Sequence, residues 1–178
     1  MSLTKEIVIE SLIAKFGDSI KLDAESLDLP AVVVDSKVSY ALIKYLKEDS
    51  AMNFNFMTDV CGAHYPHHAT DAQFSVVYHL HNWLTNVRIR VKVFLDGENP
   101  AVKSVSDLYL SANWQERETY DFYGIEFTDH PDLRRILNMD EMESFPMRKE
   151  FPMEDPGRTD KDDRYFGRLP QTNNITNN

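Results

Sequence analysis

The chain has 178 residues, of which 29 are acidic and 19 are basic, so its formal net charge is −10. This acidic balance argues against binding to nucleic acid or anionic lipid, because both depend mainly on clustered lysine and arginine. The single cysteine excludes an internal disulfide, and the longest apolar runs are far shorter than a membrane-spanning helix requires. We expect one compact domain in the bacterial cytoplasm, without a signal peptide or a mitochondrial transit peptide.

The N-terminal part of the chain predicts two helices with a strand between them. Apolar residues at helical spacing indicate a helix over residues 3–16, which Gly17 ends. Residues 31–34 are typical of a short buried strand. A second amphipathic helix follows over residues 38–46, with Ser36 as the expected N-cap.

Three strands are predicted next, over residues 54–60, 73–82 and 87–94. Residues 83–86 join the last two as a hairpin, which makes that pair antiparallel. In the last strand two sets of side chains alternate strictly, one apolar (Ile89, Val91, Val93) and one basic, here called the basic row (Arg88, Arg90, Lys92). This pattern predicts a sheet with one face toward water, and the basic row is either solvated or turned toward a partner.

Residues 114–137 form the most densely patterned segment. Its first part predicts a helix that Gly124 ends, with a short strand over residues 125–127. The pair His130-Pro131 then breaks regular structure, and a helical turn is expected over residues 132–137. The order of elements indicates an α+β fold, a two-layer domain in which a mixed, largely antiparallel sheet packs on helices.

Charged residues in this helix permit two interpretations. Glu116 and Tyr120 are four residues apart, as are Arg117 and Asp121, so each pair could meet on one helical face. A general acid and base pair of Glu116 and Glu118 would define an independent hydrolase. Residues two apart on a helix point in different directions, so we favour structural or interface ion pairing over catalysis.

A histidine-rich segment offers candidate metal ligands within eight residues (Cys61, His64, His67, His68). Closed zinc sites usually draw paired ligands from two separated segments, whereas these lie in one predicted loop. An ordinary polar loop is the favoured interpretation, and a metal-dependent hydrolase is the alternative.

Residues 146–178 differ from the body, here taken as residues 1–145. Four of the eight prolines lie in this segment and its apolar periodicity is lost. Aromatic residues stand beside arginines, as in many interface anchors (Phe151, Tyr165 and Phe166; Arg148, Arg158, Arg164 and Arg168). We expect an extended arm that binds a partner, with residues 171–178 as a frayed end.

Residues 114–137, continued by residues 145–152, resemble the signature of the 30 kDa subunit family of NADH:quinone oxidoreductase, respiratory complex I. Weaker similarity upstream extends the resemblance to residues 60–152, although the family usually carries an acidic residue where His64 stands. The residues that carry the resemblance are Glu116-Arg117-Glu118, Tyr120-Asp121, Gly124, His130-Pro131, Arg134-Arg135 and Arg148-Lys149.

The resemblance implies a non-catalytic subunit in the peripheral arm of that complex, on the cytoplasmic face of the bacterial inner membrane, reaching the membrane only through the complex. It implies docking on the quinone-cavity subunit and on the subunit with the terminal iron–sulfur cluster, with the signature residues serving assembly. FMN, iron–sulfur clusters and quinone would belong to partners. One cysteine cannot supply the usual four thiolates of a cluster, and the scattered glycines form no dinucleotide or phosphate loop.

One alternative within the same class stays open at this point. Related membrane-bound hydrogenases and other donor-linked dehydrogenases share this module, and one chain does not identify the electron donor.

Overall fold

The computed structural model describes residues 3–151. Within them the chain forms three α-helices and seven strands, which are α1 (Lys5–Phe16), β1 (Ile20–Leu22), β2 (Ala31–Val34), α2 (Ser36–Glu48), β3 (Phe56–His64), β4 (Phe74–Asn82), β5 (Val87–Leu95), β6 (Ala101–Lys103), α3 (Ala112–Tyr123) and β7 (Glu126–Thr128). The predicted arm lies outside the described residues from residue 152 onward. No helix within the described range is long and apolar enough to cross a membrane.

The five-stranded main sheet has the order β1-β2-β5-β4-β3. Its neighbours are antiparallel except for β2 and β5, which are parallel, and β6 pairs with β7 in a separate parallel ribbon. The prediction of an α+β fold with a mixed, largely antiparallel sheet is therefore confirmed. The three-residue strands β1 and β6 were not predicted.

Strand β5 places its apolar side chains on the inner face of the sheet. Val87, Ile89, Val91, Val93 and Leu95 are buried, while Arg88 is exposed and the residues that alternate with them are partly exposed. Helices α1 and α2 contact this sheet. The alternation predicted for this strand is confirmed, and it sets which face carries the core.

Helix α3 covers the edge of the sheet at β3. The Gln115 side chain donates to the Thr58 carbonyl at 3.4 Å, and the Thr119 hydroxyl donates to the Val60 carbonyl at 3.5 Å. Gly62 permits this approach, because a Cβ there would lie 2.7 Å from the Tyr123 ring and 2.9 Å from the Thr119 methyl. The helix thus occupies an edge that would otherwise offer unpaired carbonyls to another strand.

Strand β3 extends beyond its predicted end at residue 60. It continues to His64, so Cys61 and His64 lie on a strand and not in a loop. Three positions apart on a strand, their side chains point to opposite faces: Cys61 is exposed, whereas His64 is buried. The prediction that Cys61 and His64 lie in a loop was therefore wrong.

The N-cap of α2 is Asp35, not the predicted Ser36. The Asp35 carboxylate accepts the Lys37 N–H at 2.8 Å, and Ser36 is the first helical residue. Both residue types cap helices well, so the position of the first turn decides between them.

Replacing Asp35 by alanine should lower the free energy of unfolding by about 1 kcal/mol, because one N–H of the first turn loses its acceptor. Ser36→Ala is the matched control and should change it by less than about 0.5 kcal/mol. Urea unfolding of both variants measures the difference. Equal effects, or a larger effect of Ser36→Ala, would contradict the observed cap.

Candidate functional site

Helix α3 ends at Gly124 in the left-handed conformation, with φ of 71°, as the sequence predicted. The Gly124 N–H donates to the Tyr120 carbonyl at 2.8 Å. A Cβ at this position would lie 2.5 Å from the Phe145 ring and 2.6 Å from an Arg148 nitrogen. Glycine is therefore required twice, by its backbone angle and by the close packing of the segment that returns over the helix end.

Beyond β7, residues 129–148, here called the anchored segment, pack against α3 through Asp121. The fully buried Asp121 carboxylate accepts the backbone N–H groups of Ile136, Leu137 and Asn138 at 3.1, 2.8 and 2.9 Å. It also accepts the Asn138 side-chain amide at 3.1 Å and an Arg135 nitrogen at 2.7 Å. One carboxylate thus collects five donors.

These donors lower the pKa of Asp121. Burial alone would raise the pKa of the carboxyl, but the hydrogen bonds from Asn138, Leu137, Arg135 and Ile136 outweigh it and hold the pKa well below its ordinary value. The side chain is therefore a permanent buried anion, and its charge is balanced by Arg135.

The Arg135 guanidinium connects α3 to the rest of the anchored segment. Besides the Asp121 carboxylate, it donates to the Asp121 carbonyl at 3.0 Å, to the Ser144 carbonyl at 2.9 Å and to the Met142 carbonyl. Its carbon lies 5.0 Å from the centre of the Phe145 ring. The Arg135 side chain is only 8% exposed. The anchored segment therefore forms a loop around the Arg135 side chain.

Arg117 binds the same segment through backbone groups and not through Asp121. Its Nε donates to the Arg134 carbonyl at 3.1 Å and its Nη2 to the Arg135 carbonyl at 3.0 Å. The ion pair predicted between Arg117 and Asp121 was therefore wrong. The Arg117 and Asp121 side chains instead both bind the anchored segment. We call Arg117, Asp121 and Arg135 the ionic anchor.

The helical turn predicted over residues 132–137 is also absent. The carbonyls of Arg134 and Arg135 accept hydrogen bonds from the Arg117 side chain. The N–H groups of Ile136 and Leu137 donate to the Asp121 carboxylate. Because these backbone groups are satisfied by α3 side chains, the helical hydrogen bonds that would compete for them do not form.

Arg148 and Lys149 hold the end of the described chain. Arg148 Nε donates to the Tyr123 carbonyl at 2.7 Å, and its guanidinium lies over the rings of Phe74 and Phe145 at 5.0 and 4.7 Å. The Lys149 N–H donates to His64 Nδ1 at 3.0 Å, while the Lys149 side chain is exposed. Burial lowers the pKa of His64, in keeping with a neutral ring that accepts.

Glu116 lies on the opposite side of α3, fully buried. It accepts the Ser104 hydroxyl at 2.6 Å and the Val105 N–H at 2.8 Å, and His130 Nε2 lies 4.0 Å away. Burial raises the pKa of Glu116 to about 7, although these hydrogen bonds lower it in part. Tyr120, which could have met Glu116 on one helical face, packs edge-on against Phe145 at 6.0 Å.

The His130 ring makes two hydrogen bonds. Its Nδ1 accepts the Asp132 N–H at 3.1 Å, which assigns the proton to Nε2, and Nε2 lies 3.1 Å from the Asn113 carbonyl that accepts it. Its side chain is fully buried beside Glu116. The histidine therefore ties the start of the anchored segment to α3.

Glu116 and Glu118 do not share a site. Glu118 is exposed and makes no hydrogen bond or ion pair within residues 3–151, whereas Glu116 is enclosed. The acid and base pair considered for a hydrolase is therefore not assembled, as the helical geometry predicted.

The four candidate metal ligands of the histidine-rich segment do not converge in the described part of the chain. The group of potential ligands found there is instead Asp59, Cys61 and His79, whose ligand atoms lie within 4.8 Å of one another. The Arg90 guanidinium donates to His79 Nε2 at 2.9 Å, so that ring nitrogen is already engaged. Burial raises the pKa of the Cys61 thiol, which disfavours the thiolate.

The family signature thus divides into buried and exposed members. Glu116, Arg117 and Asp121 are buried, whereas Glu118, Pro131, Arg134 and Lys149 are exposed, and the Arg134 side chain pairs within the described range with Asp132 at 2.9 Å. Sequence reasoning missed Ser104 and Asn138, whose side chains complete the two networks. No pattern in the sequence marks them, because their partners lie far along the chain.

Comparison with known proteins gives a consistent result. The profile of the respiratory-chain NADH dehydrogenase 30 kDa subunit family matches residues 32–157. An NADH-quinone oxidoreductase C subunit of Rhizobium etli (strain CIAT 652) is 41% identical over 156 residues, which cover 86% of this chain and 80% of the relative.

Two solved structures share the fold. A trypsin-resistant fragment of Nqo5 is 33% identical, with a TM-score of 0.62 over 73% of this chain and 100% of that chain. A chain of a membrane-bound sulfane sulfur reductase, an archaeal respiratory membrane complex, is 22% identical, with a TM-score of 0.68 over 83% of this chain and 85% of that one.

Asp121→Asn should lower the free energy of unfolding by about 3–5 kcal/mol, because it leaves the Arg135 charge buried without its partner. Glu118→Gln makes the same chemical change on the exposed side of the helix and should cost less than about 0.5 kcal/mol. Urea unfolding followed by circular dichroism measures both. Wild-type stability of Asp121→Asn would contradict the anchor.

Glu116 should make stability fall as pH rises from about 4.5 to about 7. In this window the unfolded chain has lost the proton that the folded chain retains, so raising the pH favours unfolding by roughly 3 kcal/mol in total. Glu116→Gln mimics the protonated carboxyl and removes this contribution. The difference in unfolding free energy between wild type and variant, measured across the window, should decline with pH, and parallel profiles would refute the assignment.

Proposed function

Because the chain belongs to the family of the 30 kDa subunit of respiratory-chain NADH dehydrogenase, we propose that it is a non-catalytic, peripheral-arm subunit of a proton-pumping NADH:quinone oxidoreductase. In this proposal it docks on the quinone-cavity subunit and on the subunit with the terminal iron–sulfur cluster. FMN, the clusters and quinone are held by partner chains, and this chain holds those partners in position.

The observation that carries the proposal is the ionic anchor. Asp121, Arg117 and Arg135 fix a segment that has neither helix nor strand of its own, through charged groups buried inside the chain. A segment held in this way keeps one shape before a partner arrives. Less ordering entropy is then lost on docking than for a free loop, which favours stable assembly.

The anchored segment turns apolar side chains outward while its polar groups are bound inward. Leu137 and Met139 are 64% and 73% exposed, and Met147 is 49% exposed. Methionine adapts to irregular protein surfaces, and we take these exposed apolar side chains as contact residues. We assign this surface to the neighbouring subunits, together with the exposed residues Pro131 and Arg134 of the segment and Lys149, which follows it.

Placement is a sufficient mechanism for such a subunit. Electron transfer between a cluster and quinone depends steeply on distance, so a chain that holds two partners in register affects the rate without taking part in bond making. The enclosed Glu116 and the exposed Glu118 fit this role better than that of a hydrolase, because they do not converge on a substrate.

A related membrane complex with another electron donor is the second candidate. The fold shared with a chain of the sulfane sulfur reductase complex is the observation behind it, although that likeness concerns the fold alone. The 41% identity to an NADH-quinone oxidoreductase subunit favours NADH as the donor of the complex.

Deletion of the gene in its native host tests the proposal. Membranes should lose NADH-dependent quinone reduction by tenfold or more, because the complex fails to assemble, and the wild-type gene should restore it. Succinate-dependent quinone reduction in the same membranes is the control and should be unchanged. Retained NADH-dependent activity would contradict the proposal, and loss of another donor's activity alone would favour the second candidate.

A further inference from the structure

On the outer face of the main sheet, two residues of the basic row have ion-pair partners among residues 3–151 and one does not. Arg90 donates to the Asp28 carboxylate at 3.1 and 3.3 Å, and Lys92 forms an ion pair with Asp23. Both aspartates lie in the loop between β1 and β2. The Arg88 side chain is exposed and makes no hydrogen bond or ion pair with any residue from 3 to 151. Two charges of the row are thus neutralised within the described residues, and the third has no partner among them.

An aromatic cluster stands next to Arg88 at the hairpin end of the same sheet. Trp83 lies 5.7 Å from Phe56 and 5.5 Å from His81, measured between ring centres. His81 is the cross-strand neighbour of Arg88 in the register of β4 and β5. Trp83 is 66% exposed and Phe56 is 46% exposed, so two large rings are exposed beside a guanidinium that has no partner among residues 3–151.

The central ring of the cluster, His81, is held by a hydrogen bond and by ring packing. His81 Nε2 lies 3.0 Å from the Asn86 side-chain oxygen across the hairpin, and Asn86 itself adopts a positive φ of 57° that closes the turn. His81 is buried and supports Trp83 and Phe56 from below. Rings held in place lose little freedom when a partner covers them, and tryptophan and arginine are the side chains most often dominant in interfaces.

We propose that Phe56, Trp83 and Arg88, here called the hairpin patch, form a docking surface for an apolar side chain flanked by a carboxylate on a neighbouring subunit of the same complex. The rings accept the apolar group, and the planar Arg88 guanidinium binds the carboxylate through paired hydrogen bonds. This inference rests on the proposed function, because it takes the partner from that complex.

A second copy of the chain fits this surface poorly. In a two-fold dimer the same patch meets itself, which would bring Arg88 toward Arg88. A carboxylate-bearing partner of different sequence satisfies the guanidinium, whereas a second patch does not.

The test uses the native host with its own gene deleted and replaced by variants. Trp83→Ala and Arg88→Glu are compared with wild type by the amount of chain that migrates with the solubilised complex in a native gel, quantified by mass spectrometry. We expect about tenfold less bound chain for each, since hot-spot truncations weaken binding by this much or more. The loss for Arg88→Glu should be larger at low salt than at high salt.

Two variants serve as matched controls. Lys37→Glu makes the same charge change at an exposed position of α2, and Leu110→Ala removes a side chain that is 88% exposed elsewhere. Both should stay bound as wild type does. Thermal unfolding of the purified variants reports folding. Arg88→Glu decides the result if Trp83→Ala proves unstable, because the Arg88 side chain has no hydrogen bond or ion pair to lose within the described residues.

Retention of Arg88→Glu at the wild-type level would overturn the hairpin patch while leaving the proposed function standing. Dimerisation of the purified wild-type chain that Trp83→Ala abolishes would also overturn it, because the occupant would then be a second copy. If wild-type chain itself migrates with no complex, the proposed function fails, and the two failures are thereby distinguished.

Discussion

The carboxylate of Asp121 fixes the path of the chain beyond the sheet. Residues 129–148 contain neither helix nor strand, so their backbone groups need partners from elsewhere. Asp121 accepts three successive N–H groups, Arg117 binds two carbonyls and Arg135 balances the charge. Side chains of one helix thereby replace the hydrogen bonds that regular secondary structure would supply. Asp121 and Arg135 depend on each other, because removal of either would leave the other as a buried charge without its partner.

Helix α3 connects this anchor to the sheet. One side of the helix covers the open edge of β3 through Gln115, Thr119 and the space left by Gly62, while Asp121 and Arg117 reach the anchored segment and Glu116 reaches the loop at Ser104. The exposed apolar residues of the anchored segment therefore hold a fixed position relative to the sheet and its hairpin. The proposed role needs this property, since a chain can hold two partners in register only if the surfaces between them do not shift.

Local sequence patterns predicted the elements whose causes are local. The alternation in β5 follows from side chains two apart, and the end of α3 follows from Gly124. The partners of Asp121 lie 14 to 17 positions away, so no local pattern could distinguish them from a pair with Arg117 four residues away. The same limit explains the missing helical turn at residues 132–137, and also β1, which exists because Ile20 pairs with Val34. The family signature indicated that these residues matter, but only the geometry separated the buried members from the exposed ones.

Hydrogen exchange of the Ile136, Leu137 and Asn138 amides in the purified chain tests the anchor most directly. These N–H groups lie in a segment without secondary structure, yet they donate to a buried carboxylate. The account predicts that they exchange as slowly as the amides of β4 and β5, because opening them requires breaking the ionic anchor. Exchange at the rate of an exposed loop would contradict the claim that Asp121 holds this part of the chain in one conformation.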